Sequence, residues 1–252
     1  LSSITTRVPE LAPFFEADLI DDVLQELKSG KEATAYWCAA TERAGIEYAV
    51  AKVYRPMESR GFRNDAVYQQ GRFDLEKRVQ RAVASKSSFG REVQFGSWIH
   101  HEYATLALLH GAGCDVPQPV SKAESALLIE FVGDADGPAP QLKDVRLSRD
   151  EARAAWERLL LNIEVWLALD RVHGDLSAYN VLYWDGQAVV IDFPQAVDPH
   201  INRNAYELLE RDLTNLYRFF ERSGVRADPR RIAGGLWTAY QFGELPKRLD
   251  RF

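Results

Sequence analysis

Apolar residues recur in short, distinct patterns along the chain. Leu19, Val23 and Leu27 follow each other at four-residue spacing. That spacing predicts a short helix over Asp18 to Lys28, ended at Ser29–Gly30, with residues 1–15 before it as a loose or partly docked arm. Thr34 to Thr41 (TAYWCAAT) and Glu47 to Tyr54 (EYAVAKVY) are rich in aromatic and small apolar residues. With Arg43, Ala44 and Gly45 between them, they predict an antiparallel hairpin. Residues 55–96 carry dense Arg, Lys and Gln, broken by Gly61, Gly71, Gly90 and Gly96, and read as mobile loop, flexible over 55–90, with a basic helix over Asp74 to Lys86. Ser97 then caps a helix running to His110, which Gly111 and Gly113 stop. VPQPV is a rigid extended connector, ALLIEFV a buried strand, and GDADGPAP a hinge.

The second half turns to helical spacing. Ser148 with Glu151 forms a capping box before Ala152, Ala155, Trp156, Leu159, Leu160, Ile163, Leu167 and Leu169. Further helices are expected from Asn204 to Arg222 and from Asp228 onward. Between these blocks, VLYW and AVVI flank Trp184–Asp185–Gly186 and predict a second hairpin. The order is that of an α+β fold with two lobes: a small β-rich N-lobe over 1–131 and a mainly helical C-lobe over 132–252.

Composition narrows the function. The 252 residues are 46% hydrophobic and 27% charged, with a net charge of −6. A broad nucleic-acid footprint is not expected, DNA binding least of all, although Arg60–Arg63 and Arg72–Lys86 are local basic clusters. Cys38 and Cys114 read as buried thiols, too few for a disulfide framework. No apolar run is long enough for a membrane helix and no charged-then-apolar leader is present, so a cytoplasmic setting is expected.

The chemistry concentrates in HGDLSAYN and the AVVIDFPQAV that follows. Asp175 and Asn180 stand five residues apart, and Asp192 follows Asn180 by twelve. The first spacing is that of the D-x-x-x-x-N loop used in phosphoryl transfer. The hairpin would place Asn180 at one base and Asp192 at the other, a hard-oxygen pair suited to Mg2+. Asp175 is then free to orient or deprotonate an acceptor hydroxyl or water. Lys52, inside an apolar strand, is the candidate phosphate cation, and Glu102 its helix partner. G-x-G-x-x-G and G-x-x-x-x-G-K-[ST] are both absent; SGKEA (29–33) stands where a phosphate loop belongs. His100, His101 and Glu102 do not make H-E-x-x-H, and His173 is expected to hold its loop by a hydrogen bond.

Taken together, SGKEA, AVAKVY, VPQPV, LLIEFVG, HGDLSAYNVLY, VVIDFPQAV and LLERDLTNLYRFF resemble the RIO-type atypical serine/threonine protein kinases, and their RIO1 branch in particular, over most of residues 27–225. The resemblance implies that Ser29, Gly30 and Lys31 belong to the phosphate loop and that Lys52, paired with Glu102, contacts the ATP phosphates. It implies that Glu130 to Val132 frames the adenine and that Asp175 is the catalytic aspartate. Asn180 and Asp192 become the metal ligands for Mg2+ or Mn2+, Asp192 also a phospho-acceptor, and Asp212 the brace of the catalytic loop. It implies ATP as cofactor, a protein or the chain itself as acceptor, ATPase activity, and a ribosomal or RNA partner. Two other readings stand beside it: a small-molecule phosphotransferase of the aminoglycoside type, and an ATP-gated RNA- or RNP-binding module.

Overall fold

The computed structural model describes residues 8–55 and 88–245. These form two compact units, 8–55 with 88–104 and 118–131, and 105–117 with 132–245. The predicted loop over 55–90 and the basic helix over Asp74 to Lys86 fall mostly outside the described residues.

The first unit is a five-stranded antiparallel sheet: β1 (Ile20–Ser29), β2 (Ala33–Ala40), β3 (Tyr48–Tyr54), β4 (Pro119–Lys122) and β5 (Ala126–Glu130) in the order β1-β2-β3-β5-β4. The helix expected over Asp18 to Lys28 is therefore a strand. The reason lies in its pairing: β1 is interrupted against β2 between Ile20 and Asp22, Val23 and Gln25, and Glu26 and Lys28. Each irregularity sets two β1 residues against one step of β2, as a β-bulge does. The inward residues Ile20 and Val23 are then three apart, and a bulged strand imitates helical spacing.

The arm before it is part of the core as well. A short helix α1 (Ala12–Glu16) and the turn before it bring Val8, Leu11 and Phe14 against Ile20, Val23, Cys38, Ala49, Ala51, Val53 and Leu128. Alternation along β3 gives that face to Ala49, Ala51 and Val53. The opposite face receives Lys52, directly paired with Ala35 on one side and Leu127 on the other. VPQPV is not only a connector, since Pro119 already opens β4. Helix α2 runs from Ser88 to Gly111, so Ser97 lies inside it rather than at its start. Both cysteines are buried and free, and burial pushes each thiol up to about 12.

In the second unit, the segment read as a hinge makes a small hairpin, β6 (Gly133–Asp134) with β7 (Gly137–Pro138). Helix α3 (Arg149–Ala168) starts at the expected Ser148–Glu151 capping box. It packs Trp156 against Phe220 of α4 (Ala205–Arg222), with ring centroids 5.5 Å apart. Helix α5 (Pro229–Gln241) is capped by Asp228, whose carboxylate accepts from the amides of Arg230 and Arg231. Between α3 and α4 stands the hairpin of β8 (Val181–Trp184) and β9 (Gln187–Val190). Its two-residue turn, Asp185 and Gly186, has φ of 48° and 77°, the left-handed pair that hairpin turns of this length prefer. No described helix is long and apolar enough to cross a membrane. The two-lobed architecture, β-rich then helical, is the one expected.

Candidate active site

In the first unit, strand alternation aims Lys52 and Tyr54 to the same side. Lys52 Nζ donates to Glu102 Oε1 of α2 at 2.9 Å. Tyr54 Oη donates to the other carboxylate oxygen, Oε2. Glu102 is 1% exposed, and a charge so buried needs both a counter-ion and satisfied lone pairs. These two partners supply them. Tyr54 was not singled out from the sequence; its signal is its place two residues beyond Lys52 on one strand face.

The turn between β1 and β2 holds Ser29, Gly30 and Lys31. Gly30 N–H is committed to closing it, donating to Ala33 O at 2.9 Å. Ser29 Oγ accepts from the Arg55 guanidinium at 2.6 Å and lies 3.2 Å from Thr34 Oγ1. Arg55, also missed in the sequence, ties the turn a second time through its own N–H to Glu32 O at 2.8 Å. Lys31 is exposed. Glu130, at the end of β5, exchanges bonds with Gln118 through both its backbone and its carboxylate. Val132, in the second unit, accepts from Ala139 N–H at 2.9 Å.

In the second unit the site is built on the β8–β9 register. Val181 pairs with Val190, and Ile191 N–H donates to Asn180 O at 2.9 Å. Asn180 and Asp192 therefore sit at the same end of the hairpin. Asn180 Nδ2 donates to the backbone carbonyl of Asp175 at 2.7 Å, which leaves Oδ1 as the atom to offer a cation. Asp192 has φ of 73°, a left-handed conformation that costs energy for a non-glycine residue and is found enriched at functional sites.

Loop 173–176 is held from beneath. Asp212 of α4 is buried and accepts from the amides of Gly174 at 2.7 Å and Leu176 at 3.0 Å. The neighbouring Arg211 donates to Gly174 O. His173 Nδ1 accepts from Asp175 N–H at 3.3 Å, so Nε2 carries the proton it shares with Ile191 O, also at 3.3 Å. One imidazole thus ties the approach to Asp175 to the approach to Asp192. Phe193 packs its ring 4.6 Å from His173 and 5.4 Å from Trp166. Asp115 chelates Arg158 at 2.6 and 2.9 Å while its carbonyl receives Val190 N–H, fixing the end of β9.

Electrostatics follow from this burial. Asp175 is raised above the ordinary carboxylate range, chiefly by desolvation. The Arg211 charge pulls it back, Asp192 pushes it further up, and the bond with Asn180 lowers it. Asp212 is pushed up to about 7, again chiefly by burial, against its two amide donors and Arg211. Among the described residues no three His, Cys, Asp or Glu side chains gather as a metal cage. One amide oxygen and one carboxylate suit Mg2+, which keeps waters and phosphate oxygens as its remaining ligands. The donor set fits.

The arrangement has relatives. A family model described as the RIO domain matches residues 34–232. The chain belongs to the RIO domain family. It is 33% identical over 220 residues to serine/threonine-protein kinase RIO1 of Chaetomium thermophilum, covering 82% of this chain and 41% of that protein. With the RIO-type serine/threonine-protein kinase Rio1 of Haloferax volcanii it shares 33% over 202 residues, 80% of this chain and 64% of that one. This RIO domain thus spans less than two thirds of either relative. Its fold is similar to the Rio2 kinase of Chaetomium thermophilum, with a TM-score of 0.62 at 20% identity, covering 94% of this chain and 67% of that chain.

Proposed function

We propose that this RIO domain is an ATP- and Mg2+-dependent phosphotransferase, an atypical serine/threonine protein kinase that also hydrolyses ATP. The observation that carries the reading is the end of the β8–β9 hairpin. It sets Asn180 just before β8 and Asp192 just after β9, at the same end of the hairpin, and binds Asn180 to the backbone of Asp175. That is the donor set phosphoryl transfer requires, at the spacing it requires.

Lys52, held by Glu102, neutralises phosphate charge. Asn180 Oδ1 and the Asp192 carboxylate would hold Mg2+, which when bound would supply positive charge to offset that of the phosphate oxygens. Asp175 accepts a hydrogen bond from the acceptor hydroxyl and takes its proton as the acceptor oxygen bonds to the γ-phosphorus. The bond from that phosphorus to the bridging oxygen breaks, and ADP leaves with the electron pair. A raised Asp175 is suited to such a proton. With water as acceptor the same step releases phosphate. With an Asp192 carboxylate oxygen as acceptor there is no proton to remove: that oxygen bonds to the γ-phosphorus as ADP leaves with the electron pair, and water then hydrolyses the acyl phosphate to the carboxylate and free phosphate.

The test is to incubate the protein with γ-labelled ATP and Mg2+ and follow free phosphate and protein-bound label together. Asp175→Ala and Asp192→Asn are run beside it. Both variants are expected to abolish phosphate release. Hydroxylamine-labile label that disappears in Asp192→Asn identifies the acyl phosphate; hydroxylamine-stable label identifies serine or threonine. ATP binding with neither release nor label would overturn the reading.

A further inference from the structure

We propose that Tyr54 is a positioning residue that keeps the Lys52–Glu102 pair assembled, making the pair a built-in feature of this fold. The inference rests on the reading of Lys52 as a phosphate contact and extends it to how that contact is maintained.

Three contacts close a triangle. Lys52 Nζ lies 2.9 Å from Glu102 Oε1, Tyr54 Oη donates to Glu102 Oε2, and Lys52 Nζ stands 5.1 Å from the Tyr54 ring centroid. Tyr54 is 4% exposed and Glu102 1%. The two oxygens of one buried carboxylate are thus divided between a cation and a hydroxyl from the same strand face. Turning Glu102 away from Lys52 means giving up the tyrosine bond as well, inside a region where water does not replace it. Removing Lys52 alone leaves Glu102 anchored at Oε2.

This differs from kinases in which the strand lysine and helix glutamate meet only after activation moves the helix. A second observation agrees. The stretch from Asp192 to the start of α4 at Ala205 is short, and its Val197 is already paired with Val172 by an antiparallel bridge. That leaves little chain for an activation loop. Tyr54 acts only through Glu102 and touches no reacting atom in this proposal.

The experiment compares ATP turnover and thermal melting in the wild type, Tyr54→Phe, Glu102→Gln, the double variant and Lys52→Met. Tyr54→Phe keeps the ring over Lys52 and removes only the donor. Its kcat/KM for ATP is expected to fall about tenfold, the order of one buried bond to a charged group. In the Glu102→Gln background the same substitution is expected to add less than twofold, because its route of action is already cut. Tyr54→His, which returns an N–H donor, is expected to recover part of the loss. It also serves as the readout, against Tyr54→Leu, should Tyr54→Phe not fold. A Tyr54→Phe protein that melts earlier but keeps kcat/KM within twofold would overturn the proposal, as would an effect that adds in full to Glu102→Gln. If Lys52→Met turns over ATP like the wild type, the reading of Lys52 itself fails and the tyrosine role falls with it. An inactive Lys52→Met beside an unaffected Tyr54→Phe removes the tyrosine role alone.

Discussion

Each unit of the molecule buries a carboxylate, and the two are held by different chemistry. Glu102 is satisfied by side chains, a lysine on one oxygen and a tyrosine on the other. Asp212 is satisfied by backbone, the amides of Gly174 and Leu176, with Arg211 acting at longer range. Side-chain partners carry charge and fix another side chain, so the first arrangement positions Lys52. Backbone partners carry no net charge and fix a loop, so the second positions Asp175. The difference also explains why Asp212 is displaced so far. Two amides do not replace the hydration that a fully buried carboxylate loses.

The sharpest way to break this contrast is Glu102→Ala. It takes from Lys52 its buried Glu102 partner and from Tyr54 its acceptor, and is expected to cost about 3–5 kcal/mol of stability, read by urea unfolding. Asp212→Asn is expected to cost less, about 1–3 kcal/mol, because one amide N–H then faces an NH2 instead of an oxygen. Its larger effect is on turnover, a fall of about a hundredfold through displacement of the loop that carries Asp175.

The same residue gives a pH test. Burial raises Asp212 from 3.8 to about 7. Its contribution to stability is therefore full below pH 3.8 and is lost as pH rises through about 7, on the order of a few kcal/mol at most. Unfolding midpoints should decline between about pH 4 and 7 more steeply in the wild type than in Asp212→Asn; equal slopes would refute the raised carboxyl. The smallest effect belongs to a pair that does neither job. Arg153 and Glu157 lie 2.9 Å apart on the exposed face of α3, and Arg153→Ala is expected to leave stability and turnover unchanged.

The second unit was far more legible in the sequence than the first. Its helices α3 and α5 start at side-chain caps, Ser148 and Asp228, and its hairpin turns on Asp185–Gly186, so local chemistry coincides with these element boundaries. The trio Asp175, Asn180 and Asp192 could be named because a two-stranded ladder makes residues twelve apart neighbours. In the first unit, long-range pairing overrides local pattern. Bulges gave β1 a helical period, and Gly90 and Gly96 read as breaks although both lie inside α2. Val8, Leu11 and Phe14 carried no sign that a sheet face awaited them. Tyr54, Arg55 and Arg211 were missed for a related reason. They act through neighbours that are distant in sequence, and nothing in their own spacing marks them.

The most direct test of the phosphotransfer reading is the Mg2+ dependence of ATP affinity, measured calorimetrically in the wild type, Asn180→Ala and Asp192→Asn. Mg2+ is expected to tighten ATP binding in the wild type and to do little in either variant, since Asn180 Oδ1 and the Asp192 carboxylate are the groups proposed to hold it. An equal Mg2+ enhancement in all three proteins would contradict that assignment and, with it, the proposed role of the hairpin.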